Sequence, residues 1–529
     1  MQEKLFKKTD IQKNSRVLIG GAFSLTLSTI IVKILGLFYK IPLSSVLGDE
    51  GMGYFNSAYT VYAFFYLLCT AGVPKAVMLM VSEARARGKE LEEKQIVRVA
   101  LSLFLSLGTV VCGIFILFSK MLADLIGNSE SAATMIAIAP SIIFISLSGV
   151  IRGYLTADMK LLDIAVSQII EGVGKLVLGL AFANIAVKLS LPLNIISAFT
   201  ILGVTFGAIL GLAYLVICSK TTIFDKKARQ KIEFAISRQI SRRILSISIP
   251  ITLSAAVMSL TNIIDLGLIM NSLAEIGYSE GQSSALYGNY TTLAVPMLNL
   301  AISLITPITL ACLPTFSEAA LKEDREALIS SQKSALKIVA FLSAPMTVGF
   351  MLFSREILDL LFKNSDTEIG GALLCILAPS ILFSSLLIIV NTILEAYGFV
   401  KAPLISMLCG SGIKIIASRL LITYFGFGIL GAPLGTVISD GVALAVSLII
   451  YSLKIKENIP IFSTTFLPYI FAFFAVRSSR AIYEKTMKTT EGLLFSILFA
   501  ALIYLGLYAL LTLFRKRKER KLAKSTKMS

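Results

Sequence analysis

IAPSIIF at residues 138–144 returns 239 residues later as LAPSILF at 377–383. The same offset carries Lys175, in EGVGKLV, onto Lys414, in GSGIKII, and Arg98 onto Lys337. Pro74 of GVPKAV meets Pro314 of CLPTF at an offset of 240, and GAILG from residue 207 returns as GAPLG from 431. Matches that keep their order along the chain mark an internal duplication. They predict two homologous six-helix lobes, 17–219 and 244–454, joined by a basic linker at 220–243. Two further helices follow in 455–514, and basic tails occupy 1–16 and 515–529.

Composition says what kind of helices these are. The 529 residues are 56% hydrophobic and only 15% charged, with a mean hydropathy of +0.83. A soluble domain carries about a quarter charged residues. Apolar runs of 18 residues or more recur throughout, each long enough to cross about 30 Å of hydrocarbon. The chain reads as an all-α polytopic membrane protein of about 14 transmembrane helices, centred near 30, 68, 108, 144, 174, 207, 256, 300, 343, 383, 412, 441, 472 and 503. With that count, loops on the side of the termini hold 34 lysines and arginines and the opposite loops hold 8. The positive-inside rule then places both termini and the 220–243 linker in the cytoplasm.

The net charge of +17 is thus accounted for by topology and by attraction to anionic lipid, and nucleic acid need not be invoked. The opening MQEKLFKKTDIQKNSR reads as a basic tail, since the run after it is too long for a signal-peptide core. Histidine is absent, and the six cysteines sit in apolar runs without CxxC spacing, so neither a metal site nor a disulfide framework is expected. No cofactor is implied, and no nucleophile-elbow, P-loop or zinc-protease motif is present. Paired lobes are the architecture of a transporter, whose substrate site forms near the repeat interface.

The charges inside the spans carry the functional reading. A lysine near mid-membrane costs about 2.5–3.5 kcal/mol on insertion scales, so it faces a cavity or a partner. Lys33, Lys40, Lys75, Arg152, Lys175, Lys414 and Arg419 fall in or beside spans, against fewer acidic residues, chiefly Glu171, Asp265, Glu395 and Asp440. A net cationic cavity is the expectation. In TIIVKILGLFYKIPL (29–43), Lys33 and Lys40 are seven apart and share a face with Thr26, Thr29 and Gly36. Lys33 lies too deep to reach the interface easily. Lys40, near the outer end before Pro42, also reads as a snorkelling lysine. Arg98 and Lys337 open spans three and nine, where anchoring is the plain alternative. Glu171 and Lys175, four apart, are expected to pair along one helix turn. The glycines of GDEGMG (48–53) are expected to permit a tight turn at Asp49 and Glu50.

KILGLFYKIPLSSVLGDEGMGYFNSAY, AGVPKAVMLMVSEARARGK, APSIIFISLSGVIRGYLTADM and QIIEGVGKL resemble the polysaccharide-biosynthesis/stage V sporulation protein B group. That group is related to the lipid II flippases within the multidrug/oligosaccharidyl-lipid/polysaccharide exporter superfamily. The resemblance extends to about residue 515 and implies fourteen helices, two lobes about a central cavity, and no catalytic residues. It implies transfer of an undecaprenyl-pyrophosphate-linked saccharide from the inner to the outer leaflet by alternating access, with the peptidoglycan precursor lipid II as the expected cargo. The alternatives are another lipid-linked polysaccharide unit, or a cation-coupled multidrug antiporter, which would want an anionic cavity.

The resemblance also distributes roles. The lipid II flippases have a cavity arginine where Lys33 falls, and a second that falls at Tyr39, one residue before Lys40. LKIVAFLSAP resembles a segment whose arginine lines the cavity, which selects Lys337. Substrate contacts are therefore expected at Lys33, Lys40, Arg98 and Lys337. Asp265 matches an acidic residue of a sodium site in some lipid II flippases. Its partner positions are Lys414 and Ser418 here, giving either a coupling-ion site or an internal salt bridge. A basic cavity residue of the flippases in span two has no counterpart in YFNSAYTVYAFFYLLC. The partners implied are the lipid-linked saccharide and membrane lipid.

Overall fold

A computed structural model describes residues 2–219, 234–322, 325–455, 459–486 and 489–525. Residues 220–233 of the basic linker and the side chains of Thr26 and Thr29 lie outside what it describes. Among the described residues the chain is helical, with no strand. Twelve helices are long and apolar enough to cross a membrane, or up to thirteen if the bent pair Ser129–Ile138 and Ser141–Ala157 is one span. One of the twelve, Ile31–Ala86, is 56 residues long. A crossing takes about 20 residues, so reading it as two brings the count to fourteen.

The chain divides into two compact units, Met1–Gly288 and Asn289–Ser529. In the first, α1 (Gln2–Thr70), α2 (Val73–Ala86), α3 (Glu90–Leu125), α4 (Ala132–Ile138), α5 (Ser141–Ala157), α6 (Leu161–Lys188), α7 (Leu193–Cys218), α8 (Phe234–Glu275) and α9 (Glu280–Asn289) follow in order. The second holds α10 (Val295–Leu321), α11 (Arg325–Leu352), α12 (Ser354–Leu361), α13 (Thr367–Leu377), α14 (Pro379–Ala396), α15 (Ala402–Arg419), α16 (Gly431–Lys454), α17 (Ile461–Thr486) and α18 (Thr490–Ser525). The two halves of the opening sequence repeat do the same job. Pro140 stands between α4 and α5, bent by 43°, and Pro379 opens α14 directly after α13. The packing boundary differs from the repeat boundary, because α8 packs against α1, α2 and α3. Residues 234–243, read from sequence as linker, form the start of α8.

Glycine 48 decides the course of α1. It alone breaks the helical backbone there, at φ 64° and ψ −177°, a conformation that favours glycine. In a straight helix, residues 40 and 56 would be about 24 Å apart along the axis. Instead the Lys40 Nζ donates to Asn56 Oδ1 at 3.2 Å, and the Tyr39 and Phe55 rings lie 6.1 Å apart. The helix therefore folds back on itself, and the turn expected in GDEGMG is this one.

Loops of the first unit sort to two ends. At one end Arg85 pairs with Glu93 (2.6 Å) and Asp158 (2.9 Å), and Arg243 with Glu83 (2.5 Å). Asp158 also holds Lys160 at 2.7 Å, and that hydrogen bond raises the lysine's pKa above its ordinary value. At the other end Asn194 donates to Glu130 at 2.6 Å, and buried Asn128 donates to Ser57 (2.9 Å) and Ser284 (3.3 Å). The first set joins the 83–98, 156–162 and 234–243 stretches, which alternation of spans put on one side.

Small residues let α6 and α7 touch. A Cβ on Gly203 would lie 2.5 Å from the Gly179 backbone and 2.8 Å from the Lys175 carbonyl oxygen. In lipid, where no hydrophobic force drives helices together, such close packing is the main source of association. Gly203→Val should therefore force α6 from α7 and cost about 1–3 kcal/mol. Gly36→Ala, with no atom within 4 Å of the new Cβ, should be neutral. Membrane protein level and thermal midpoint in detergent check both.

Candidate functional site

The fold-back of α1, with α5, α6 and α7, encloses a cavity of about 510 Å³ in the first unit. The arm before Gly48 contributes Val32 and Lys33. The arm after it contributes Tyr59, Tyr62, Ala63, Tyr66 and Leu67. Ile145 and Arg152 come from α5, Gln168, Glu171, Gly172 and Lys175 from α6, and Val204 from α7. Three basic side chains and one acidic one line it, so this cavity of the first unit is net cationic.

The charges are held in different ways. Arg152 Nη2 meets Glu171 Oε2 at 2.8 Å, with the two side chains 15% and 28% exposed. An ion pair formed away from water needs this sort of direct contact to offset desolvation. Glu171 thus faces α5 rather than Lys175, and the pairing expected along one turn of α6 gives way to one between helices. Lys175 makes no ion pair among the described residues. Its Nζ stands 4.6 Å from the Tyr59 ring centroid and 5.4 Å from that of Tyr39. Such cation–π contacts contribute about 0.5–2 kcal/mol, the larger figure when desolvated. Lys33 is exposed to the cavity. Ser28, one turn and a residue earlier, donates to Gln168 Oε1 at 3.2 Å and ties the first arm to α6.

Aromatic residues complete the wall. Tyr59, Tyr62 and Tyr66 are spaced three and four apart, which puts them on one helix face. Their ring centroids follow at 5.7 and 6.0 Å. Tyr39, where the family resemblance puts an arginine, is buried and reaches the Thr200 carbonyl oxygen at 3.4 Å. The Lys175 ammonium, from α6, stands over that tyrosine ring.

Of the residues assigned to a substrate or ion site from sequence, Lys33 lines this cavity. Lys40 is engaged with Asn56, and Arg98 lies half-buried on α3; neither is among the lining residues. Asp265 is buried in α8. Lys337, half-buried on α11, and Lys414 and buried Ser418, both on α15, belong to the second unit. There Asp440 accepts from Ser384 at 2.9 Å. Arg152, Lys175, Gln168 and the three tyrosines were not assigned to the site from sequence. The three-and-four spacing of the tyrosines was the available signal.

The Arg152–Glu171 pair yields a stability prediction. Arg152→Gln and Glu171→Gln should each destabilise, and the double variant should recover part of the loss, with a coupling of about 0.5–3 kcal/mol. Unfolding midpoints of the four purified chains check it.

Known proteins resemble this chain in sequence and in fold. Stage V sporulation protein B of Bacillus subtilis (strain 168) is 23% identical over 425 residues, covering 79% of this chain and 80% of the relative. Lipid II flippase MurJ of the same organism is 23% identical over 424 residues, covering 77% and 78%. A solved structure of lipid II flippase MurJ in an inward closed conformation matches with a TM-score of 0.70 at 18% identity, covering 92% of this chain and 98% of that one. An inward-facing multidrug resistance MATE family transporter of the MOP superfamily matches at 0.63 with 16% identity, covering 82% and 98%. These likenesses establish the fold. The family model described as Lipid II flippase MurJ matches residues 43–503, and with most of its length so matched the chain belongs to the lipid II flippase MurJ family.

Proposed function

We propose that this protein moves a pyrophosphate-linked lipid saccharide, with lipid II as the cargo, from the inner to the outer leaflet of the bacterial cytoplasmic membrane. The observation that carries the reading is the net cationic cavity walled by Lys33, Arg152 and Lys175. A diphosphate crossing the hydrocarbon needs fixed positive charge along its route, because an unpaired charge there is costly. Arg152 is already clamped by Glu171, so Lys33 is the cation proposed to take up the diphosphate first. Lys337 is proposed as a contributor from the second unit, whereas Lys40 and Arg98 are weaker candidates. Exposure of the cavity to one leaflet and then the other completes the cycle, and no bond is made or broken. Asp265, Lys414 and Ser418 are proposed as an ion-coupling or internal charge site, and both termini as cytoplasmic.

A cation-exporting antiporter is disfavoured by the sign of the cavity. Another lipid-linked polysaccharide unit shares the diphosphate and would use the same cations; the similarity to stage V sporulation protein B keeps that cargo open to test. Replacing the resident lipid II flippase of a conditional bacterial strain with this chain decides between them: survival supports lipid II, and death with the protein present in the membrane excludes it.

At Lys33, a point charge suffices for a diphosphate contact, although arginine adds bidentate geometry. Lys33→Arg should retain flipping. Lys33→Ala and Lys33→Glu should abolish it at unchanged protein level. The measurement is lipid-linked precursor accessible at the outer leaflet.

A further inference from the structure

Lys175, like Lys33, has no carboxylate partner among the described residues. Its i−4 neighbour Glu171 is taken by Arg152 at 2.8 Å, and its Nζ is held by the faces of Tyr59 (4.6 Å) and Tyr39 (5.4 Å). A π face holds an ammonium without neutralising it, and holds it more weakly than a desolvated carboxylate does. The charge therefore stays available to an anion entering the cavity that Lys33 also lines. Tyr59 is 38% exposed and begins the ladder that continues through Tyr62 and Tyr66. From residue 59 to residue 66 that ladder runs about 10 Å, close to the length of two linked pyranose rings.

We propose that Lys175 is a specificity-determining residue whose ammonium exchanges the faces of Tyr39 and Tyr59 for the oxygens of the substrate diphosphate, uncovering Tyr59 to stack on the adjoining sugar ring. The inference rests on the flippase reading and adds the residue that reports a diphosphate to the sugar-binding wall. Tyr59 and the diphosphate compete for one ammonium. Weakening the tyrosine face therefore strengthens diphosphate binding, and only while Lys175 is present. A lysine that merely braced α6 against α1 gives no such dependence.

The test is the affinity of the purified full chain in detergent for farnesyl diphosphate, a diphosphate lipid without a sugar, with farnesol as the neutral control. Lys175→Gln binds farnesyl diphosphate about tenfold more weakly, the loss of one charge-assisted contact, and Lys175→Arg binds it as the parent does. Tyr59→Leu binds it about threefold more tightly, the release of one cation–π contact. Tyr59→Phe, which keeps a face, leaves affinity unchanged, and Tyr59→Leu has no effect once Lys175 is glutamine. Thermal midpoints of the same samples establish that each variant is folded, and Lys175→Met and Tyr59→Ile, with the same expected loss and gain, carry the test if Lys175→Gln or Tyr59→Leu is not. Farnesyl diphosphate binding that depends on Lys33 but is the same in Lys175→Gln overturns this proposal and leaves the flippase reading standing. Equal affinity of the parent chain for farnesyl diphosphate and farnesol overturns both.

Discussion

A charge inside hydrocarbon must be paired, hydrated or brought to a cavity, and that constraint organises the first unit of this protein. Seven basic residues lie in or beside the spans of the whole chain, five of them in this unit. The structure deals with three of them together in one cavity. Arg152 is neutralised by Glu171, Lys175 rests on two tyrosine rings, and Lys33 is left facing the cavity. These are three grades of restraint, from a fixed ion pair to a charge presented to the cavity. A site meant to seize and then release an anion needs this gradation, because cations all locked in ion pairs would have nothing left to offer a substrate.

Geometry follows from two backbone features. The single positive φ at Gly48 folds α1 back, so that Lys33 on one arm and Tyr59, Tyr62 and Tyr66 on the other reach the same cavity. The close crossing at Gly203 then presses α6 onto α7 beside the Lys175 backbone. Neither feature is chemical in itself. Each places a residue that is, and each does so with a glycine, because a side chain there would strain the backbone or clash with it.

The helical membrane fold was largely legible in the sequence, because hydrocarbon thickness imposes a length on every span. All fourteen expected centres fall in helices. Of the site, the cationic character and Lys33 were legible, since the cost of a buried charge shows in any sequence. Which groups hold which charges was not. Sequence proximity favoured Glu171 with Lys175, yet Arg152, 19 positions from Glu171, has the better geometry across the helix interface. Tyrosines in an apolar run look like core or interface residues until the fold-back brings them to the cavity that Lys33 lines. The division into units shows the same limit: the repeat ends at the linker, whereas packing continues through α8 because its apolar side finds α1, α2 and α3.

The central claim is that the positive cavity recognises a lipid diphosphate. Its most direct test is reconstitution of the purified chain in sealed proteoliposomes carrying a fluorescent lipid-linked disaccharide diphosphate, with protected and exposed fluorophore followed over time. The account predicts rapid equilibration of that lipid between leaflets and none of a matched lipid whose diphosphate is replaced by a neutral linker. Equal transfer of the charged and the neutral lipid would contradict it.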